Sequence, residues 1–246
     1  MSKHILTPLE DHGGDSMKAT LKLSSEERRA AIVKAVRRVF AEKGFHGTTT
    51  RELAVAAEVS EALLFKHFPN KEALYSAMLV SCCNHQNPER MARLQALEPS
   101  ASTLVLMVHL LVSKLVGGRS AENEDTAIQI RLVLRSLMED GEFAMLLLQR
   151  VTSGWLPKVE ECIKAAIAAG DAVESPAHAS VRAWLTHHLA VMLLIFDLPP
   201  NCVVDYGISR EHLVEQAVWF SLRGMGLKED VIRSHYNAKA LALFGN

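Results

Sequence analysis

The chain has 246 residues, of which 49% are hydrophobic, and its 27 Lys and Arg residues almost balance its 28 Asp and Glu residues. A chain of this length and composition can bury a substantial core in one or two domains. The near-zero net charge excludes a general polyanion-binding protein, and the four scattered cysteines imply no disulfide framework.

Residues 1–23 are predicted to be a disordered arm, because they contain Pro8, Gly13 and Gly14 with little apolar periodicity. No charged segment followed by an apolar one, as in a signal peptide, is visible in the arm. Lys18 and Lys22 are candidates for contact with a polyanion, although an inert arm is the commoner case. The missing export signal and the reduced cysteines predict a cytoplasmic protein.

The first predicted helix begins after Ser24, which Glu27 follows at the spacing of a capping box. It is expected to run to about Lys43, where Gly44 ends it. Apolar residues recur along it at spacings of three and four, and together they predict one buried stripe. These residues are Ile32, Val33, Val36, Val39 and Phe40.

Two short helices follow. Thr49 and Glu52 form a second capping box before a helix that ends near Ala57, and Ser60 is the N-cap candidate of a helix from Glu61 to Phe68. Such short helices are not stable alone in water and must pack on the others. Two short helices joined by a tight turn make a helix-turn-helix.

This region resembles the TetR family of bacterial transcription repressors. The resemblance rests on the runs Phe40-Ala-Glu-Lys-Gly-Phe45, Thr49-Thr-Arg-Glu-Leu53, Leu64-Phe-Lys-His-Phe68 and Asn70-Lys-Glu-Ala-Leu74. It implies an all-α fold with an N-terminal three-helix helix-turn-helix DNA-binding domain at residues 24–70 and a larger helical ligand-binding and dimerisation domain at residues 71–246. The helix from residue 61 to 68 would then enter the major groove of operator DNA.

The resemblance also assigns phosphate contacts. Thr49, Thr50 and the backbone N–H groups at the start of the reading helix suit a phosphate. Lys71, at the start of the next helix, resembles the phosphate-anchoring lysine of the family.

Three further side chains are candidates for DNA contact. Arg51 would contact a guanine edge or a phosphate. Lys66 and His67 lie at the far end of the reading helix, where contact with the DNA backbone is favoured, although Lys66 would also be stable as a solvated side chain. Residues 24–80 hold nine Lys and Arg against seven Asp and Glu, a net charge of +2, so affinity must come from placed contacts and dimer geometry.

The start of the reading helix departs from the family pattern. Where Lys-Gly-Thr is common, this chain has Glu61, Ala62 and Leu63, and the usual tyrosine is replaced by Phe65, which has no hydroxyl group. Phe65 is therefore expected to pack rather than to hold a phosphate. Glu61 would accept a hydrogen bond from a cytosine amino group or stabilise the helix N-terminus, and Leu63 would touch a thymine methyl group or join the core.

The rest of the chain is predicted to be helical, with no convincing β-strand. The expected helices cover residues 70–86 with a continuation to 97, 102–116, 123–140, 142–151, 155–169, 176–197, 210–225 and 228–243. Ser153 and Gly154 are expected to interrupt the helix pair at 142–169, with Pro157 in the first turn of its second member.

Two of these helices are predicted to form a homodimer interface, 176–197 and 210–225. The run Ala217-Val-Trp-Phe-Ser-Leu-Arg-Gly-Met-Gly-Leu227 is similar to the C-terminal helix ending of TetR-like proteins, whose last two long helices pair across a two-fold axis. The continuously apolar segment 189–196 is too short to cross a membrane, which needs about 20 residues. A two-fold dimer would place two reading helices about 34–36 Å apart on a palindromic operator.

A ligand pocket is expected between the reading domain and the interface. Periodicity alone favours ordinary core residues, whereas the family resemblance favours walls around an apolar ligand. The candidate ligand-binding residues are Leu106, Met107, His109, Leu110, Met138, Met145, Trp155 and Trp184.

Other functions have little support in the sequence. Cys82, Cys83 and His85 are close in sequence, but adjacent side chains diverge on a helix and no second cysteine pair completes a metal site, so no metal and no cofactor are predicted. No motif of a phosphate loop, a nucleophile elbow or a zinc protease is present, so the chain is not expected to be an enzyme. The resemblance implies a ligand-responsive regulator, a repressor released by a small, mostly apolar effector. The alternative is a helical protein-interaction module without sequence-specific DNA binding.

Overall fold

The computed structural model describes residues 24–83, 88–117 and 121–242, and the fold is all-α, as predicted. Apart from an isolated antiparallel bridge between Ala172 and Leu227, these residues form no β-strand. We call residues 24–70 the head and the remaining described helices the body. The helices are α1 Ser25–Lys43, α2 Thr50–Ala56, α3 Glu61–His67, α4 Lys71–Cys83, α5 Pro88–Ala96, α6 Ala101–Val116, α7 Ala121–Leu137, α8 Glu142–Ala168, α9 Ala179–Asp197, α10 Arg210–Gly224, α11 Glu229–His235 and α12 Ala238–Ala242.

The predicted caps of the head helices are confirmed. Ser24 and Glu27 exchange backbone-to-side-chain hydrogen bonds of 2.8 and 3.2 Å at the start of α1. Thr49 and Glu52 make the same reciprocal pair before α2, at 2.9 and 3.3 Å. The Ser60 hydroxyl caps α3 by accepting from a backbone N–H. These caps satisfy N–H groups that have no partner within their own helix.

The head core continues into the body. Phe40, Leu53, Leu64 and Phe68 are buried at the centre of the head. The same cluster extends along α4 and then includes buried residues of α7 and α8, namely Leu132, Val133, Phe143, Ala144 and Leu147. The predicted domain boundary near residue 70 remains a prediction, but no gap in packing separates head from body on this side.

A second core fills the body, with α6 at its centre. Helix α6 buries residues around most of its circumference, because α8, α9, α10, α11 and α12 all pack on it. Trp155, Val159, Cys162, Ile163 and Ala166 of α8 belong to this cluster. Helix α8 is thus shared by the two cores, its first turns in one and its later turns in the other.

The predicted interruption at Ser153 and Gly154 is wrong, because α8 runs unbroken for 27 residues. The glycine has a packing reason instead: a Cβ atom at position 154 would lie 2.8 Å from the Gln95 side-chain nitrogen and 3.4 Å from Met91 Cγ. Pro157 lies inside the helix rather than in a first turn. Burial of both halves of α8 against separate cores offsets the hydrogen bond that the proline removes.

Several predicted boundaries also differ. The single helix expected at 228–243 is divided into α11 and α12, and the Asn237 side chain caps the second by accepting from Ala240 N at 3.2 Å. Helix α7 begins at Ala121 rather than at Asn123, and α9 begins at Ala179 rather than at 176. The expected ends at residues 86 and 243, and the side chains of Cys83 and His85, lie outside what the structure describes.

Helix α9 is long and apolar enough to cross a membrane when judged by length and composition alone, with a mean hydropathy of 1.4. Core helices pass the same test. In this fold α9 packs against α6 and α8 and buries Arg182, Thr186 and His187 on that side. Helix α9 is therefore a packed helix of the body.

Candidate nucleic-acid interface

The outer face of α3 carries the predicted reading residues. Leu64 is buried in the head core, while Glu61, Ala62, Phe65 and Lys66 are exposed. Positions 61, 62, 65 and 66 share one side of a helix, because residues three and four apart lie on the same face. Leu63 and His67 are partly buried at the edges of this face. The exposed surface of α3 is thus the part of the head that can enter a groove.

A tight turn positions α3 against α2. Glu58 adopts a left-handed backbone conformation, with φ +54°, and it is the non-glycine residue with positive φ among the described residues. Val59 N donates to Ala54 O at 3.0 Å, which closes the end of α2. The tight turn expected between the two short helices is therefore confirmed, and it includes a backbone conformation that L-residues adopt rarely.

A side-chain hydrogen bond also joins α2 to α3. Thr50 Oγ1 donates to Glu61 Oε2 at 2.8 Å. The Glu61 carboxylate is consequently held in front of the first turn of α3. The Thr50 hydroxyl proton, which a phosphate contact would need, is already used within the protein.

The Thr49 hydroxyl group is also already hydrogen-bonded within the head. Its hydroxyl accepts from Glu52 N and donates to Glu52 Oε2 at 3.0 Å, so both functions of the hydroxyl are used. Lys43 forms an ion pair with the same glutamate. The Lys43 hydrogen bond, followed by those from Thr49, lowers the pKa of Glu52 to about 2. Glu52 is therefore ionised throughout the physiological pH range.

Lys71 fastens the turn between α1 and α2. Its Nζ donates to Phe45 O at 2.8 Å and to Thr48 O at 3.0 Å, and it lies 4.3 Å from the centre of the Phe45 ring. An ammonium group has three protons, so one donor remains for a phosphate. The structure thus gives Lys71 a positioning role that the sequence did not indicate.

Arg29 is a residue that sequence reasoning missed. Its guanidinium donates to His67 O at 2.6 Å and stacks 4.1 Å from the centre of the Phe68 ring. It therefore holds the C-terminal end of α3 against α1. The position of Arg29 along α1 could have indicated this role. Residues 29, 32, 33 and 36 fall on one helix face, so an arginine lies in line with the apolar stripe.

Two arginines connect the head to α7. Arg37 of α1 is 2% exposed and lies 3.5 Å from Asp125 Oδ1. Arg135 in the last turn of α7 donates to Glu42 O at 3.0 Å, and it covers Gly44, whose φ is +73°. The positive φ is what favours glycine at position 44, and a Cβ atom there would also displace the Arg135 side chain.

The predicted pocket residues divide into two groups. Leu106, Met107, His109, Leu110 and Trp155 are buried in the body, and Trp184 is partly buried. The inner-face placement is wrong for two methionines, since Met138 is 79% exposed and Met145 is 58% exposed. Met138 follows the end of α7, and Met145 lies on the side of α8 away from the head core, so neither faces the interior.

The body core contains polar atoms without hydrogen-bond partners. Among the residues that the structure describes, they include His109 Nδ1, Trp155 Nε1 and the Tyr236 hydroxyl, and also Arg182 Nε, His187 Nδ1 and Ser221 Oγ. The His109 and Tyr236 ring centres are 5.7 Å apart. Burial lowers the pKa of His109, which favours a neutral ring. Within the described ranges, no group of three or more His, Cys, Asp or Glu side chains is placed to hold a metal ion.

Comparison with known proteins gives a consistent result. The family model for bacterial regulatory proteins of the tetR family matches residues 32–78, from α1 into α4. The chain is 33% identical over 91 residues to the HTH-type transcriptional regulator TtgR of Pseudomonas putida, a match that covers 37% of this chain and 42% of TtgR. The chain therefore aligns with less than half the length of this curated relative.

Solved structures extend the likeness to the body. AibR in complex with isovaleryl coenzyme A and operator DNA superposes with a TM-score of 0.58 at 20% identity, covering 79% of this chain and 97% of AibR. FadR from Bacillus subtilis in complex with stearoyl-CoA superposes with a TM-score of 0.53 at 20% identity, over 79% and 98% of the two chains. At this identity the likeness establishes the fold. The helix-turn-helix head therefore matches the TetR family over residues 32–78, and the body shares the all-helical fold of solved TetR-family regulators.

Proposed function

We propose that the protein is a ligand-responsive transcription regulator, a repressor that binds a palindromic operator as a homodimer in the cytoplasm and is released by a small, mostly apolar effector. The observation that carries the proposal is the exposed face of α3, presented by a capped helix-turn-helix within the segment that matches the family model. A short exposed helix on a compact support is the geometry with which such heads read the major groove.

The residues of the head then take separate roles. Glu61, Ala62 and Phe65 are proposed to face base edges, with Leu63 at the margin of the contact. Glu61 is an acceptor only, which suits the amino group of cytosine, and the apolar side chains suit thymine methyl groups. Phe65 is exposed rather than packed in the head core, so it is free to make such a contact.

The remaining head residues are proposed to contact the DNA backbone. Lys66 and Arg51 are exposed and have no ion-pair partner within the described part of the chain. Lys71 has one donor left after its two carbonyl bonds, and His67 lies at the edge of the reading face. Thr49 and Thr50 would have to exchange their internal hydrogen bonds for a phosphate, so we rank them below the cations.

The homodimer is proposed to form through α9 and α10. Val181, Leu185 and Met192 are exposed along α9, at spacings that keep them on one face. Phe220 of α10 is 71% exposed. An apolar stripe on two neighbouring helices is unfavourable in water and favourable when a second copy covers it. This pairing supports the interface predicted at 176–197 and 210–225.

The effector is proposed to bind in the body, among the buried residues Leu106, Met107, His109, Leu110 and Trp155, with Trp184 beside them. The unpaired His109 Nδ1, Trp155 Nε1 and Tyr236 hydroxyl would supply polar contacts in otherwise apolar surroundings. AibR and FadR, which share the fold, were solved with acyl-CoA molecules. The effector proposed for this protein resembles those ligands in having an apolar part.

Effector release would act through the packing that joins body and head. Helix α8 contributes to both cores, and α4 and α7 pack on α1. A ligand that binds more tightly when the two heads are wrongly spaced for DNA would shift the population away from the operator-bound form. Helix α4 begins with Lys71 at the edge of the head. We propose that its movement transmits the change in the body to the head.

Selection of binding sites from random duplex DNA, repeated at two salt concentrations, tests the proposal without knowledge of the effector. We expect enrichment of a palindrome whose half-sites are about one helical turn apart, with weaker binding at higher salt. A folded dimer that enriches no sequence would contradict the proposal. That result would instead favour a protein-interaction module.

A further inference from the structure

A cleft lies where the head meets the body. Its walls come from three elements: the α1–α2 turn, helix α4, and the turn between α7 and α8. Its volume is about 320 Å³, which is the size of a site for a small organic molecule. We call it the head–body cleft. It is separate from the effector site proposed in the body core.

Aromatic rings form part of the wall. Phe45, Tyr75 and Phe143 line the cleft, and the Phe45 and Tyr75 ring centres are 5.2 Å apart. The face of an aromatic ring attracts cations. One such contact already exists at this place, because the Lys71 ammonium lies over the Phe45 ring.

Carboxylates surround the rings. Glu72, Glu139, Asp140 and Glu142 line the same cleft, and no lysine, arginine or histidine forms an ion pair with any of them in the described part of the chain. Burial, and then the charges of Glu139 and Asp140, raise the pKa of the Tyr75 phenol. The nearby cations are Lys71, which lies over the Phe45 ring and donates to Phe45 O and Thr48 O, and Arg135, which donates to Glu42 O. The four carboxylates outnumber these two cations, and the His46 side chain also lines the cleft.

A buried hydroxyl group adds an independent indication of a ligand. Ser136 is 5% exposed and lines the cleft. Its oxygen accepts a hydrogen bond from Ala144 N at 3.2 Å, while its own proton has no acceptor among the residues that the structure describes. Buried donors are normally paired, so this proton is available to an acceptor atom on a bound molecule.

We propose that the head–body cleft binds a small organic cation, an ammonium compound that also carries a hydrogen-bond acceptor. The charged group lies between the carboxylates and against the Tyr75 ring, because the Lys71 ammonium already lies over Phe45. The acceptor takes the Ser136 proton. Removing water strengthens the attraction between a cation and a ring, so a half-enclosed aromatic cleft binds better than exposed carboxylates alone.

The test compares choline with 3,3-dimethylbutan-1-ol, which has the same shape and hydroxyl group but no charge. Each is titrated into the full-length protein by calorimetry, with equilibrium dialysis of labelled choline as a second measurement. We expect one saturable choline site per chain and affinity for the neutral compound weaker by about tenfold or more. Equal affinity for the two compounds, or no saturable choline binding by either method, would overturn the proposal.

A charge-neutralised variant locates the site. Glu139→Gln with Glu142→Gln keeps side-chain size and is expected to weaken choline binding by about tenfold. The matched control is Glu26→Gln with Glu174→Gln, two exposed glutamates away from the cleft, which should leave choline affinity unchanged. Unchanged binding in the cleft variant would assign choline to another site, such as the body core. Operator selection by the same proteins reports on DNA binding separately, so either proposal can fail alone.

Discussion

The Thr50 hydroxyl donates to the Glu61 carboxylate at 2.8 Å, which ties the first turn of α2 to the first turn of α3. A carboxylate in this position accepts hydrogen bonds and repels phosphate. Its orientation is set before DNA arrives, so less conformational freedom is lost on binding. The glutamate that stands at position 61 in place of the usual lysine is therefore held in a set orientation by the head itself.

Glu61→Gln should change base preference at one position of each half-site. The amide keeps the size of the side chain but adds a donor, so discrimination in favour of cytosine should fall by about 1–3 kcal/mol. Operator selection with the variant measures this change. Glu58→Gln in the neighbouring turn is the control for loss of one negative charge. Identical base preferences in the Glu61 variant and the unaltered protein would remove Glu61 from the base contacts.

Lys71→Ala should weaken binding to all DNA sequences and also destabilise the head. Loss of the bonds to Phe45 O and Thr48 O should lower the free energy of unfolding by about 1–3 kcal/mol. If the third proton contacts a phosphate, the log–log salt dependence should flatten by about 0.9. Lys164→Ala is the matched control, since it removes an exposed charge from the body, away from the DNA contacts. An unaltered salt dependence with Lys71→Ala would restrict this residue to its structural role.

Arg29→Ala should impair DNA binding although Arg29 is not proposed to contact DNA. The variant loses the bond to His67 O and the stacking on Phe68, so the end of α3 should become mobile. We expect a loss of about 1–3 kcal/mol in unfolding free energy and weaker operator binding with unchanged salt dependence. Arg29→Lys should retain only part of the unfolding free energy and only part of the operator affinity, because an ammonium group lacks the planar stacking surface of a guanidinium group. A flattened salt dependence would instead indicate a direct phosphate contact.

Leu185→Glu and Phe220→Glu should each shift the protein to monomers. Both side chains are strongly exposed in the single chain, at 61% and 71%, so a charge there costs little within one protomer but would be buried in the dimer. Light scattering measures the mass, and circular dichroism checks the fold. Met138→Glu changes an equally exposed residue outside α9 and α10 and should leave the mass unchanged. Retention of the dimer in both interface variants would place the two-fold contact elsewhere.

Stability should fall as the pH falls below about 6.5. Burial, and then the charge of His188, lower the pKa of His187 from 6.5 to about 4, so the unfolded chain takes up the proton first. The stabilisation is fully present above pH 6.5 and is lost as the pH falls towards 4. Between pH 7 and pH 5 this group should remove about 2 kcal/mol from the unfolding free energy. Urea titrations at the two pH values should show a smaller loss in His187→Gln, and equal losses in the two proteins would contradict this assignment.

Much of the head could be predicted because its signals are local. Each capping box links residues three apart, and Gly44 and the Glu58 turn act on the backbone beside them, so short sequence windows contain the information. Helical periodicity accounts for the burial of Leu64 and the exposure of the opposite face of α3. The expectation that Phe65 packs is wrong, because Phe65 lies on that opposite face and is 43% exposed. The body was less predictable at its boundaries, because Ser153 and Gly154 look like a break when the helix packed against them is unknown.

The sequence by itself determined that this protein is all-helical, that it carries a capped helix-turn-helix, and that it resembles the TetR family. Tertiary structure decided that α8 runs unbroken between two cores, that Lys71 and Arg29 hold the reading head together, and that Met138 and Met145 face solvent. The physical reason is the distance along the chain between the interacting groups. Caps and helical stripes involve neighbours a few residues apart, whereas these contacts join residues that only the folded chain brings together.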